Sequence, residues 1–264
     1  MSAEQAASAM EVSVSCRFVR GRNALLASAD FEPVFVDLYL HLGQSGVVLT
    51  GGADVKLKQL VALLALCAAT RPRAETLAWT VHFEQQEMNL FAVAENPSGR
   101  IAGRVFSQNI KRGGTNVLHA EVASAGGVHR RSSVDFSGDS ILRMAEQFYA
   151  QSEQRPARCF ELDGDHFAFL VAQPDCDLAW LSSVAAPEIG ELIDDCSRAP
   201  LEVRRYAFYC GCTPVRIAAA IGPAIRGELD AVFGSDQYIN VECPRCGVRH
   251  EIGRELFDSG SPDK

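Results

Sequence analysis

Four cysteines near the carboxyl end of the chain have the residue type and the spacing to do chemistry. Cys210 and Cys212 form a C-x-C pair, and Cys243 and Cys246 form a C-x-x-C pair after 30 intervening residues. Zinc takes four thiolate ligands in a tetrahedron, with metal–sulfur distances of about 2.3 Å. Because a folded insert can bring two close pairs together, the sequence predicts one structural zinc ion bound by these four residues.

The C-x-x-C pair leaves two other interpretations open. Such a pair can carry out disulfide exchange when one of its thiols is acidic. Alternatively, the two cysteines are ordinary buried residues with no chemical role. The pair does not follow a strand that leads into a helix, as in thioredoxin-like enzymes. Phosphate-loop, dinucleotide and zinc-protease motifs are absent from the sequence, which therefore predicts no enzyme. Four sulfurs complete a tetrahedral site, so we interpret the nearby His250 as a surface residue.

The other five of the nine cysteines are scattered along the chain. Cys16 falls on the apolar side of a predicted strand and Cys67 inside an apolar helix, where free cysteine behaves as a small core residue. Cys159, Cys176 and Cys196 are isolated, and the sequence assigns them no role. Thinly spread cysteines in an odd number, with no secretory signal at the start, are typical of a reducing compartment. We therefore expect a cytoplasmic protein.

Composition limits which partners the chain can have. The 264 residues are 47% hydrophobic, which allows a sizeable core, and the formal net charge is -8. This acidic balance disfavours broad adhesion to nucleic acid or to an anionic membrane. Residues 210–264 carry six Lys and Arg against eight Asp and Glu, unlike a zinc ribbon that binds nucleic acid. The longest apolar run, residues 60–69, is too short to span a bilayer, so we expect no nucleic acid and no membrane as partners.

The elements that must position the cysteines are mostly strands. Alternating apolar and polar residues predict strands at 12–18 and 77–83. Turn-rich segments between β-prone runs predict three hairpins, with strands at 90–94 and 101–106, at 117–122 and 128–136, and at 157–162 and 167–171. Helices are predicted at 56–69 and 140–151, the second capped by residues 137–139.

Composition changes after residue 180, which predicts a division of the chain into three parts. Residues 181–209 contain prolines, several acids and one amphipathic segment, typical of a linker with one short helix. Residues 1–180 are expected to form an N-terminal core of antiparallel strands with packed helices, and residues 210–264 a small C-terminal zinc-binding domain. The predicted fold class is α+β.

Two parts of the sequence carry a resemblance to a known family. The pattern C-x-C, a spacer of about thirty residues and then C-P-x-C resembles the zinc module of the 33-kDa heat-shock protein family, the redox-regulated holdase chaperones. Upstream, F-S-G-D-S at 136–140, A-E-Q-F-Y at 145–149 and Q-S-E-Q-R-P at 151–156 are similar to the family's helix and the segment that ends it.

This resemblance implies a chaperone that binds unfolding proteins under oxidative stress. The N-terminal core would bind these client proteins, and the C-terminal domain would sense oxidants. Oxidation would pair Cys243 with Cys246 and Cys210 with Cys212, zinc would leave, and the linker would lose its docking partner. Apolar linker residues would then be available to clients or to a second protomer in a homodimer. These residues are Leu192, Ile193, Leu201, Val203, Tyr206 and Phe208.

A second interpretation keeps the zinc and omits the switch. The linker is shorter than the family's, and the first cysteine pair continues with Thr213-Pro214-Val215 rather than the family's Ser-Arg-Glu. A short linker hides less apolar surface, which favours a constitutive protein-binding relative whose zinc-stabilised tail has no redox gating.

Overall fold

The computed structural model describes residues 10–44, 46–49, 52–108, 110–111, 113–124, 126–195 and 199–258. These residues form a ten-stranded sheet, a separate two-stranded hairpin and eight helices. The strands are β1 (Glu11–Val19), β2 (Ala24–Asp30), β3 (Glu75–Phe83), β4 (Met88–Glu95), β5 (Arg100–Phe106), β6 (Asn116–Ser124), β7 (His129–Phe136), β8 (Ala157–Glu161), β9 (His166–Ala172), β10 (Glu202–Phe208), β11 (Tyr238–Glu242) and β12 (Arg249–Gly253). The helices are α1 (Glu32–Gln44), α2 (Ala53–Ala69), α3 (Ile141–Gln151), α4 (Leu178–Ser183), α5 (Ala186–Asp194), α6 (Pro214–Ile225), α7 (Leu229–Phe233) and α8 (Glu255–Asp258).

The large sheet is antiparallel except at one position near its middle. Its strand order is β7-β6-β3-β4-β5-β10-β1-β2-β9-β8. Strand β10 pairs antiparallel with β1 but parallel with β5, where the register joins Ala207 to Arg100 and Phe208 to Ile101. A strand from late in the chain therefore lies between two strands formed much earlier.

Helix α2 fills the inner side of this sheet. Every residue from Leu60 to Ala69 is buried, as expected for an apolar helix covered on all sides. The helix packs across β1 to β5 and β9, and also touches α3. Gly103 on β5 allows this close approach, because a Cβ there would lie 2.8 Å from Cγ2 of Val61. The main core therefore lies between α2 and the sheet.

The opposite side of the sheet is covered at one end by α4 and α5. Their apolar side chains form a second cluster with residues of β2, β8 and β9. Trp180 also donates its indole N–H to Glu188, at 2.6 Å, which ties the two short helices together. The segment after residue 180 is thus packed on the sheet.

The predicted α+β class, with a mainly antiparallel sheet, is confirmed. Every strand and helix predicted from the sequence overlaps an observed one, with boundaries shifted by a few residues. The predicted cap of α3 is wrong by one residue. Ser140, rather than a residue of 137–139, accepts the backbone N–H of Arg143, at 3.3 Å.

The segment 181–209 differs most from its prediction. In place of one short helix, it contains the end of α4, all of α5 and the strand β10. Tyr206 and Phe208 alternate with more exposed residues and are buried in the main core, which is why this stretch forms a strand. The division into 1–180, 181–209 and 210–264 stays a prediction about domain organisation.

Within the described residues, no helix has both the length and the apolar character that crossing a membrane requires.

Candidate metal centre

The first cysteine pair is anchored to the sheet by β10. Tyr209 continues the pairing with β5, because its N–H donates to the carbonyl of Ile101 at 3.0 Å. Cys210 follows directly and is buried. Gly211 then turns the chain with a φ of +64°, and its carbonyl accepts a hydrogen bond of 2.8 Å from Arg216 at the start of α6.

The second cysteine pair lies in the tight turn between β11 and β12. The N–H of Cys243 donates to the carbonyl of Val248 at 2.8 Å, and the N–H of Gly247 donates back to the carbonyl of Cys243 at 2.9 Å. Gly247 has a φ of +82°, a conformation that glycine adopts without strain and that this tight turn requires. The turn presents both sulfurs of the pair to the first pair.

The structure brings all four predicted ligands together. The sulfurs of Cys210, Cys212, Cys243 and Cys246 all lie within 4.8 Å of one another. The shortest distances are 3.5 Å, from Cys210 to Cys243 and from Cys212 to Cys246, far longer than a disulfide bond. Four sulfurs at about 2.3 Å from a central ion are about 3.8 Å apart, so this cluster fits a tetrahedral metal ion.

Hydrogen bonds among the four sulfurs shift the pKa values of the thiols in opposite directions. The hydrogen bond with Cys210 is the largest contribution that lowers the pKa of Cys212, to about 6. A hydrogen bond with Cys210 is also the main reason why the pKa of Cys243 lies well below its ordinary value. The same contacts raise the pKa of Cys210, chiefly through Cys212, and of Cys246. Thiolate is the form of cysteine that a metal binds.

His250 lies beside this cluster, so its interpretation as a surface residue is wrong. It is half-buried, and its Nε2 lies 3.2 Å from Sγ of Cys212. The register of the β11–β12 hairpin places His250 opposite Val241. Alternation along β12 puts His250 on the same side as the fully buried Ile252, which directs the imidazole inward.

A buried arginine of the sheet binds the second cysteine turn. Arg104 of β5 donates to the carbonyl of Cys243 at 2.6 Å and to the carboxylate of Glu242 at 2.8 Å. A second ion pair, from Arg245 to Glu95 of β4, has a distance of 2.6 Å. Sequence reasoning missed these contacts, although an arginine inside the apolar run of β5 was a usable signal. They hold the cysteine cluster against the outer side of β4 and β5.

The cysteines outside the cluster follow their predictions where the structure describes them. Cys16 and Cys67 are buried, and burial raises the pKa of Cys16 to about 11 and of Cys67 to about 12, as for thiols in a core. Cys159 is also buried, and Cys176 is half-buried. Cys196 lies outside the described residues.

The six apolar linker residues that the resemblance predicts to bind clients differ in how far they are exposed to solvent. Leu201 and Val203 are 70% and 45% exposed, whereas Tyr206 and Phe208 face the main core. Leu192 and Ile193 are half-buried against the α4–α5 cluster. Tyr206 and Phe208 are therefore not surface that a small movement of a linker uncovers.

Comparisons with known proteins agree with the fold. No protein-family model matches the chain. The 33 kDa chaperonin of Edwardsiella ictaluri (strain 93-146) is 23% identical over 171 residues, which cover 55% of this chain and 58% of that protein. The crystal structure of the 33 kDa chaperonin (heat shock protein 33 homolog) of Thermotoga maritima superposes with a TM-score of 0.65 at 13% identity, covering 94% of this chain and 96% of that one.

The chain has the fold of the 33 kDa chaperonins. The resemblance to the 33-kDa heat-shock protein family, predicted from the cysteine spacing and the segments at 136–156, is thereby confirmed. Both relatives are named as chaperonins, and neither name describes an enzyme. The sequence match spans less than two thirds of the curated chaperonin's length, so its activity comes to this chain as a proposal.

Proposed function

We propose that this chain is a redox-regulated holdase chaperone that binds unfolding proteins and is switched by a zinc ion on four cysteines. One observation carries the proposal: in a fold shared with a 33 kDa chaperonin, two distant cysteine pairs place four free thiols within 4.8 Å of one another. The proposed ligands are Cys210, Cys212, Cys243 and Cys246.

The donor set supports zinc as the metal. Thiolate ligands select soft or borderline ions, and four of them in a tetrahedron are typical of a structural zinc site. When bound, zinc would clamp the tail together. Besides the cysteines, few apolar side chains of residues 210–258 are buried, namely Ile217, Ala218, Phe233 and Ile252. Metal binding contributes on the order of 10 kcal/mol to folding in small zinc modules, which is enough to decide whether such a tail folds.

Oxidation would release the clamp. In each pair, one thiolate attacks a peroxide oxygen, the O–O bond breaks, and the sulfenic acid formed is attacked by the second thiolate. One disulfide forms, two electrons pass to the peroxide, and two waters leave once protons are taken up from solvent. The proposed disulfides are Cys243–Cys246 and Cys210–Cys212. A disulfide sulfur has no charge to hold the metal, so zinc leaves.

Loss of the clamp would also release the contacts that join the tail to the sheet, from Arg104 of β5 to the second cysteine turn and from Arg245 to Glu95 of β4. Val93 and Ala102 pair in register and lie on the same side of the sheet as Arg104, where both are buried. Unfolding of the tail would expose this apolar patch. Newly exposed apolar patches are what a holdase offers to unfolding clients.

The test measures metal, thiols and chaperone activity on one preparation. The reduced protein is expected to hold about one zinc per chain, and peroxide with mild heat is expected to release it with the loss of four thiols. Suppression of the aggregation of a heat-denatured test protein should rise at the same time. Cys176→Ser, which changes a half-buried cysteine outside the cluster, is the matched control. Equal suppression before and after oxidation would refute the switch.

A constitutive zinc-stabilised chaperone is the second candidate, and the position of β10 favours it. Because β10 lies in the middle of the sheet, residues 202–208 cannot separate from the core as a free linker would. This candidate predicts that aggregation is suppressed equally well in the reduced protein. A C-x-x-C oxidoreductase gains no support, because Cys243 and Cys246 are 2% and 1% exposed and a substrate disulfide cannot reach them.

The proposed partners follow from this activity. They are unfolded or misfolded client proteins in the cytoplasm and, after oxidation, a second copy of the chain in a homodimer. Nucleic acid and membranes are not among them. Size measurement of the oxidised protein tests the homodimer.

A further inference from the structure

Cys212 differs from the other three sulfurs of the cluster. It is half-buried, whereas the other three cysteines of the cluster are buried, so Cys212 is the sulfur that a dissolved oxidant reaches most easily. It is also the sulfur that has a side-chain partner from outside the set of four, namely Nε2 of His250 at 3.2 Å. Cys243, in comparison, has the backbone N–H of Arg245 at 3.4 Å.

The direction of the His250–Cys212 hydrogen bond follows from the chemistry of a metal-bound thiolate. Such a sulfur carries no proton, so the hydrogen in the contact belongs to the ring, and Nε2–H donates to Sγ. A donated hydrogen bond orients a metal ligand and stabilises its negative charge. A stabilised thiolate is also a weaker nucleophile.

We propose that His250 is a positioning residue that holds the Cys212 thiolate on the metal and slows its reaction with peroxide. This inference rests on the proposed zinc site and assigns part of its regulation to one side chain. In the step that His250 restrains, the sulfur of Cys212 attacks one peroxide oxygen. The S–O bond forms, the O–O bond breaks, and the departing hydroxide takes a proton from solvent.

The test compares His250→Ala with His250→Gln in the zinc-loaded, full-length protein. Glutamine carries an amide N–H at about the reach of Nε2, so it can restore the donor, whereas alanine cannot. Competition with a zinc chelator gives metal affinity, and mass spectrometry gives the rate at which peroxide modifies each cysteine. His129→Ala, on the exposed strand β7, controls for the loss of a histidine.

Removal of the donor is expected to weaken zinc binding by about 10- to 100-fold, the usual effect of losing a partner of a metal ligand. His250→Ala should also speed peroxide modification of Cys212 more than that of the other three cysteines. His250→Gln should return both values toward wild type, which a merely structural role of the ring would not predict.

Each other outcome has a distinct meaning. Wild-type affinity and wild-type Cys212 reactivity in His250→Ala overturn the inference and leave the proposed function standing. Equal defects in His250→Ala and His250→Gln also overturn it, because the ring and not the donor would then matter. A wild-type protein that binds no zinc removes both the inference and the proposed function.

Discussion

The sheet and the tail of this protein are stabilised in different ways. The sheet buries most of helix α2 and aromatic side chains such as Phe169 and Tyr149, whose rings lie 4.8 Å apart. The tail buries a few apolar residues around four sulfurs and is held to the sheet by two arginine–glutamate pairs. Many small contributions support the sheet, whereas a single cluster supports the tail. On the proposed function, oxidation of this one cluster would unfold the tail and leave the sheet folded.

The largest difference between the two regions is expected when the second cysteine pair is removed. A double variant, Cys243→Ser with Cys246→Ser, is expected to lose the metal and unfold the tail, because on the order of 10 kcal/mol of metal binding is lost. Limited proteolysis should cut residues after 210 and spare the sheet, and metal analysis should find no zinc.

A matched variant weakens the core of the sheet and leaves the cysteine cluster intact. Phe169→Ala leaves a cavity in the main core, which should cost about 3–5 kcal/mol in the free energy of unfolding while zinc stays bound. A protease-resistant tail in the metal-free double variant would contradict the comparison.

A smaller effect is expected at the contact between the two regions. Arg104→Met keeps the aliphatic stem but removes one of two donors from the carbonyl of Cys243, which keeps the N–H of Gly247, and one of two from the carboxylate of Glu242, which keeps Arg249. Hydrogen bonds to charged groups contribute about 1.5–3 kcal/mol each, so the tail should open more often and release zinc to a chelator faster. Arg131→Met, which changes an exposed arginine paired with Glu121, is the control. Equal release rates for the two variants would show that Arg104 does not couple the regions.

The smallest effect is a pH dependence within the sheet. The hydrogen bond from Arg204 to Glu202 lowers the pKa of that carboxyl from its ordinary value of 4.5. Because the pKa is lower in the folded protein, this pair stabilises above pH 4.5, and its contribution is lost as the pH falls through the lowered value. Urea unfolding of Glu202→Gln should show a deficit below about 1 kcal/mol at pH 7 that disappears in acid. A deficit that persists at low pH would contradict this sign.

Local patterns predicted most of the strands and the cysteine site, because both depend on residues close together in sequence. The hairpin strands alternate regularly, and the two cysteine pairs each fit within one turn. The strand β10 was missed because its position depends on β1 and β5, which lie far away in the chain. Strands β2, β11 and β12 and helices α1, α4, α6, α7 and α8 were also not predicted. The contact between Arg104 and Cys243 joins residues 139 positions apart, and no local pattern encodes such a pair.

The place of β10 also bears on how the chain is synthesised. Strands β1 and β5 each present a free hydrogen-bonding edge until residues 202–208, in the last third of the chain, leave the ribosome. A nascent chain with two open edges is prone to wrong pairing with its neighbours, and the late closure makes folding slow. This protein would then itself depend on protection by other factors while it is being made.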